Sequence, residues 1–94
     1  MGLNEAQTTQ VKTLSDTVHI SGLVVSCVAE LEGEVIPALA QIPGCELHTK
    51  TDDGKLVVTL ERESQQSTSD AMDAIAAIEG VLNTALAYHR VEQL

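Results

Sequence analysis

Four stretches of the chain have the alternating or β-branched apolar pattern of strands, at 18–27, 45–51, 55–63 and 81–91. In the third stretch, apolar residues at 56, 58 and 60 alternate with Val57, Thr59 and Glu61, so the charge on Glu61 predicts which side faces the core. Asp53-Gly54 lies between the second and third stretches, and this dipeptide between alternating runs predicts a β-hairpin.

Two segments with helical periodicity separate these strands. Residues 29–41 carry an apolar stripe, and several acidic residues precede it. Acidic residues are favoured at the start of a helix, where the helix dipole is positive. Pro37 is tolerated in a first helical turn, so we expect the regular helix to begin near Glu34. After a polar loop at 64–69, Ser67-x-x-Asp70 resembles a capping box that opens a second helix, which Gly80 ends.

The element order β-α-β-β-α-β predicts the fold. Residues 38–45 are echoed by residues 74–81, and each copy is a helix end, a glycine and a strand start. Two such halves predict a ferredoxin-like split βαβ sandwich, an α+β fold with strand order 4-1-3-2 and both helices on one sheet face. We expect residues 17–94 to form this one domain and the polar, aperiodic residues 1–16 to form a flexible N-terminal tail.

The predicted sheet leaves one face uncovered, and small or weakly polar residues lie on it. If Leu23 and Val25 face the helices, and Thr84, Leu86 and Tyr88 do the same in the last strand, alternation fixes the residues of the open face. They are Gly22, Val24, Ser26, Val57, Thr59, Glu61, Ala85, Ala87 and His89. Because a shift of one residue inverts a strand, the pattern leaves the registers of the first and last strands open. Such a face indicates docking of a partner or weak self-association.

Charge and composition narrow the classes of partner. The net charge of −9 opposes binding to nucleic acid and to an anionic membrane, and it favours a cationic partner. The start of the chain lacks the pattern of a secretory signal, and no run approaches the ~20 apolar residues of a membrane helix, so we expect a cytoplasmic protein. Cys27 and Cys45 are expected to be reduced, buried small apolar residues.

No residue pattern supports catalysis or metal binding. A glycine-rich phosphate loop, G-x-S-x-G and H-E-x-x-H are all absent. His19, His48 and His89 have no ordinary zinc-site spacing with the two cysteines. We therefore predict a binding protein with no catalytic residue, metal or cofactor. A small-ligand-binding regulatory domain of the ACT-like kind is the alternative.

Four short segments, taken in order and spacing, resemble the NapD family. They are Ser21–Ser26 before an acidic helix start, Ile42–Glu46, Gly54–Val58, and Ile78–Leu82 followed by Ala87–His89. The resemblance covers about 18–89. It implies a cytoplasmic chaperone that binds the twin-arginine signal peptide of the periplasmic nitrate reductase catalytic subunit precursor and holds back export until the cofactor is inserted.

The same resemblance implies that the signal peptide docks as a helix on the open sheet face. Its arginines would then lie near acidic residues at the rim of that face. The candidates are Glu61 and the acidic cluster Glu30, Glu32 and Glu34. Whether the partner is the nitrate reductase precursor or a related twin-arginine precursor stays open.

Overall fold

A computed structural model describes residues 17–93 and contains four strands and two α-helices. The strands are β1 (Thr17–Cys27), β2 (Cys45–Lys50), β3 (Leu56–Arg62) and β4 (Val81–Gln93). A 3-10 turn (Ala29–Leu31) leads into α1 (Glu32–Ala40), and α2 spans Gln65–Ala76. The predicted tail at 1–16 lies outside the described residues.

The four strands form one antiparallel sheet in the order β2-β3-β1-β4. The central strands β1 and β3 pair from His19↔Arg62 to Val25↔Leu56. This order and the two helices confirm the predicted ferredoxin-like α+β fold. Within residues 17–93, no helix has both the length and the apolar character needed to cross a membrane.

The core lies between the sheet and the two helices and is entirely aliphatic. Each member is at most 3% exposed. They are Leu23, Val25, Val35, Leu39, Leu56, Val58, Leu60, Ala71 and Ile75. The β3 members are the three residues that alternation assigned to the core, and Leu23 and Val25 also face the helices as expected. A sheet buried on one side only explains why apolar and polar residues alternate so regularly in β3.

Helix α1 begins earlier than predicted, because Pro37 is accommodated inside it. The regular helix starts at Glu32 and not near Glu34. Pro37 cannot donate a hydrogen bond to the carbonyl of Gly33. Both residues are exposed, so water can satisfy that carbonyl and the helix tolerates the proline.

Helix α2 also begins earlier than predicted, and the proposed capping box is wrong. The N-cap is Ser64, whose side chain accepts a hydrogen bond from the Ser67 backbone N–H at 3.0 Å. Ser67 and Asp70 therefore lie within the helix, and Asp70 accepts a hydrogen bond from Gln66 at 2.9 Å. A serine at either position satisfies the same local pattern, so the sequence alone does not distinguish them.

The predicted repeat of helix end and glycine is present in both halves. Gly44 and Gly80 follow α1 and α2 with φ of 84° and 102°, a backbone region that favours glycine. At both sites the strand's first residue donates a hydrogen bond back to the helix end, from Cys45 to Ile42 and from Val81 to Ile78, each 3.1 Å long. Each half therefore turns from helix into strand by the same means.

Candidate functional site

The sheet face opposite the helices is the candidate site. Strand pairing places Gly22 opposite Thr59 and Val24 between Val57 and Ala85. Ser26 lies opposite Asn83 on β4, and Glu61 lies opposite Ile20. Their sequence neighbours on β1 and β3 are buried beneath the helices, so these residues face away from the core. The structure thus brings together most of the predicted open-face set.

A β-bulge in β4 changes which residues reach this face. Leu23 pairs with Leu86, but Gly22 pairs with Tyr88, so Ala87 is an extra residue in the ladder. A bulge interrupts the strict alternation of side chains along a strand. Beyond Ala87, the residues that alternation assigned to one face lie on the other.

Two placements in β4 were therefore wrong. His89, predicted on the open face, lies on the helix side, where its Nδ1 is 2.8 Å from the Oγ of the fully buried Ser21. Tyr88, predicted on the helix side, lies on the open face over Gly22. A Cβ added at Gly22 would be 2.3 Å from Tyr88 Cε2, so the missing side chain at position 22 makes room for the ring.

His48 also lies on the open face, as alternation from Glu46, which is opposite Thr59, places it. It lies in β2, where Leu47 pairs with Val58 and Thr49 pairs with Val57, which leaves His48 as the extra residue. Its Nε2 is 2.7 Å from the Oγ1 of Thr59. The hydrogen bond fixes the imidazole beside the β3 residues of the open face. In the sequence, His48 was considered only as a possible zinc ligand.

Tyr88 and His48 bound a shallow, mainly apolar depression of about 290 Å³. Its lining residues come from all four strands. They are Gly22, Leu23, Val24, His48, Val57, Val58, Thr59, Ala87 and Tyr88. Five of the predicted open-face residues therefore line one concavity, which we call the open-face pocket. Small residues form its floor, and two ring-bearing residues stand at its sides.

Two carboxylates lie on the same face close to the open-face pocket. Glu46 is opposite Thr59, and Glu61 is two positions further along β3. Among residues 17–93, the ion pairs are Lys50–Glu32, Lys55–Asp53 and Arg90–Glu92. Glu46 and Glu61 take part in none of these. The open face thus combines an apolar depression with two carboxylates that no cation within the described part of the chain neutralises.

The basic residue nearest in sequence to Glu61 is directed away from it. Arg62 lies on the helix side, where it donates hydrogen bonds to Ser67 Oγ at 2.7 Å and to the Pro43 carbonyl at 2.5 Å. These contacts hold its guanidinium beneath the sheet. The charge on Glu61 is therefore available to a partner that approaches the open face.

Comparison with known proteins identifies the family. The family model described as NapD protein matches residues 18–93. The chain belongs to the NapD family. Chaperone NapD of Escherichia coli is 29% identical over 76 residues, which cover 80% of this chain and 87% of that protein. Chaperone NapD of Haemophilus influenzae is also 29% identical over 76 residues, covering 80% of this chain and 82% of that protein.

A solved NapD structure supports the same assignment. The solution structure of the E. coli Tat proofreading chaperone protein NapD matches with a TM-score of 0.70 and 28% identity over 78% of each chain. The predicted family resemblance is thereby confirmed. Membership of the NapD chaperone family supports the chaperone interpretation over the ACT-like alternative.

The acidic cluster predicted as a rim lies elsewhere in this NapD-family chain. Glu30 lies in the 3-10 turn, and Glu32 and Glu34 lie in the first turn of α1. This segment belongs to the helix layer, on the other side of the sheet from the open-face pocket. Glu32 is ion-paired with Lys50 at 3.0 Å. Glu46, which the sequence analysis did not select, lies nearer the pocket than this cluster.

The two cysteines of this NapD-family chain pack against the core as free thiols. Cys27 and Cys45 are both half-buried beside the apolar cluster. Burial raises the pKa of the Cys45 thiol, which disfavours the reactive thiolate. Within residues 17–93, no three His, Cys, Asp or Glu side chains are grouped in a way that could hold a metal ion.

Proposed function

We propose that this chain acts in the cytoplasm as an assembly chaperone that binds the twin-arginine signal peptide of the periplasmic nitrate reductase catalytic subunit precursor. In this proposal, binding delays export until the cofactor has been inserted, and the chain performs no catalysis itself. The observation that carries the proposal is a pocket that the helices leave uncovered, beside two carboxylates that form no ion pair within residues 17–93. The E. coli relative described as a Tat proofreading chaperone supports the choice of partner.

The apolar part of the open face suits one side of an amphipathic helix. The floor of the pocket consists of residues with no side chain or a short aliphatic one, namely Gly22, Val24, Val57 and Ala87. A helix can therefore approach the sheet closely. Recognition of this kind places apolar anchors of the helix in a groove. Ser26, Thr59 and Ala85 extend the floor beyond the central depression.

The acidic part suits the arginine pair. Glu46 and Glu61 lie on β2 and β3, on the side of the pocket opposite the strand that carries Tyr88. A guanidinium beside a carboxylate forms a charge-assisted hydrogen bond, and its planar fork allows two bonds where the ammonium of lysine acts as a point charge. The peptide would thus lie across the strands with its arginines toward Glu46 and Glu61.

Calorimetric titration with the signal peptide tests this proposal. We expect the native peptide to bind, a scrambled peptide not to bind, and a Lys-Lys peptide to bind more weakly, because the apolar contacts remain. Raising the salt concentration should weaken binding of the native peptide more than binding of the other peptides. The proposal is wrong if the native peptide binds no better than the scrambled one, or if NMR shift changes upon binding map to α1 and α2.

Paired variants locate the binding face. Ala87→Glu places a carboxylate in the apolar pocket and should abolish binding, because the charge would be buried without a partner. Ala76→Glu makes the same change at an exposed position of α2 and should leave binding intact. Glu61→Gln should mainly slow association and flatten the salt dependence, since rim charges steer partners more than they hold them.

A further inference from the structure

Strand β4 is an edge strand whose outer side is not paired with any strand among residues 17–93. It is 13 residues long. Four of the five large apolar side chains exposed in the described structure belong to it, namely Leu82, Leu86, Tyr88 and Val91. A long, apolar edge strand offers backbone N–H and C=O groups that a further strand can pair with.

Charge distinguishes this edge from the rest of the molecule. Residues 81–89 include no Asp, Glu, Lys or Arg, and Arg90 and Glu92 cancel within the strand, in a chain of net charge −9. The opposite edge, β2, is only six residues long and carries Glu46 and Lys50, a composition that discourages strand pairing. Two copies of an acidic chain repel each other, and the repulsion is smallest where they meet along an uncharged strand.

A cleft on the helix side adds a shape that two copies could share. It has a volume of about 290 Å³ and lies between α2 and β4. The lining residues are Ser21, Gln65, Thr68, Ser69, Met72, Leu86 and His89. Leu86, in its wall, is 54% exposed although it pairs with the buried Leu23 on β1. Leu86 is therefore a core-facing residue at a position where the helix layer ends too soon to cover it.

We propose that a second copy of this chain pairs in antiparallel sense with the free edge of β4. The two-fold axis would run perpendicular to the sheet and create one eight-stranded sheet. Both helix layers then lie on the same side, and Leu86 of each copy packs against the α2–β4 cleft of the other. Such an interface is isologous, which means that the same surface of each copy takes part in it. One apolar residue and one neighbouring cleft per copy therefore provide two equivalent contacts across the interface.

The arrangement leaves the open faces uncovered. Both lie on the side of the eight-stranded sheet away from the helices, with the Tyr88 side of one pocket next to that of the other. Pairing through the edge therefore differs from self-association through the open face, which would cover the pocket. The dimer would present two peptide sites on one continuous surface.

Sedimentation velocity of the full chain over a wide concentration range tests the interface. We expect the mass to rise from 10.0 kDa to twice that value. Leu86→Asp should raise the dissociation constant of the dimer at least about tenfold, because a carboxylate would enter the apolar contact. The matched control is Leu47→Asp, at a leucine that is 37% exposed on the opposite edge strand, and it should not change dimerisation.

Circular dichroism verifies that both variants fold. If Leu86→Asp does not fold, Leu82→Asp replaces it, because Leu82 is also on β4 and is 69% exposed. A monomer at every concentration overturns the proposal. So does a dimer that survives the β4 variants or that Leu47→Asp disrupts equally. Amide exchange provides a second readout: β4 amides that are protected equally in dilute monomer would show that residues 1–16 or another segment covers the edge, which also overturns it.

Discussion

Replacing Gly22 with alanine tests the contact that shapes the open-face pocket. The added Cβ would lie 2.3 Å from Tyr88 Cε2 and 2.7 Å from Cδ2, against the 3.4 Å at which ordinary contact begins. The ring must therefore retreat by about 1 Å or more. Tyr88 is 46% exposed, so the ring can swing outward without disrupting the core.

The expected magnitude follows from two opposing effects. Overpacking of this kind costs about 1–3 kcal/mol. Replacing glycine with alanine within a strand contributes about 0.5–1 kcal/mol in the stabilising direction, because the unfolded chain loses freedom. We expect Gly22→Ala to lower the free energy of unfolding by about 1 kcal/mol, and we expect the displaced ring to weaken binding of the signal peptide.

A double-mutant cycle separates the ring contact from other effects. In a Tyr88→Ala background the clash is absent, so Gly22→Ala should become neutral or stabilising. Gly33→Ala is the matched control, because a Cβ there meets no atom within 4 Å, and it should stabilise the chain slightly. Urea unfolding followed by circular dichroism measures all four variants. An equal effect of Gly22→Ala in both backgrounds would refute the packing argument.

Three further measurements test the core, a helix cap and the hairpin tip. Ile75→Ala should lower the free energy of unfolding by about 2–5 kcal/mol, because Ile75 is fully buried, whereas Leu82→Ala, at an exposed site, should change it little; equal urea midpoints would contradict this. Ser64→Ala should cost about 1 kcal/mol through loss of the α2 cap, and unchanged thermal unfolding would show that the cap contributes nothing. A hydrogen bond from the Thr51 hydroxyl lowers the pKa of Asp53. The stability that the ionised Asp53 carboxylate contributes is therefore present above the ordinary pKa of an aspartate, and it is lost as the pH falls through the lowered pKa of Asp53. In an NMR titration, Thr51→Val should return that pKa toward its ordinary value.

The fold could be predicted because its signals are local and repeated. The alternation in β3 identified the buried side of the sheet, and the glycines at 44 and 80 marked where each half turns from helix to strand. These signals depend on the chemistry of a few adjacent residues. The start of α2 was predicted less well, because Ser64 and Ser67 have the same capping chemistry and only the path of the chain after Arg62 selects between them.

The open face could be predicted only in part, because bulges break the rule that was used to predict it. Alternation placed Gly22, Val24, Val57, Thr59 and Ala85 correctly. Beyond Ala87 it failed, since an extra residue in one strand costs little and leaves no distinct pattern in the sequence. His48 lies on the face by simple alternation from Glu46, but the sequence analysis did not assign a face to β2. The acidic cluster at 30–34 was selected for its density of charge, which does not determine the side of the sheet on which it lies.

The position of Tyr88 gives a further physical reason to regard the open face as a binding surface. The chain has one tyrosine, no phenylalanine and no tryptophan, and its buried core is built without an aromatic residue. A ring contributes most to stability where it is fully buried, yet this one is held half-exposed over Gly22, where the absent side chain accommodates it. Tyrosine is favoured at interfaces, because its apolar ring packs while its hydroxyl stays hydrated. Because the bulge turns Tyr88 outward, the core loses the stabilisation that a buried aromatic ring would provide, and the ring forms a wall of the open-face pocket instead. Contacts between Tyr88 and a bound partner would compensate for that loss.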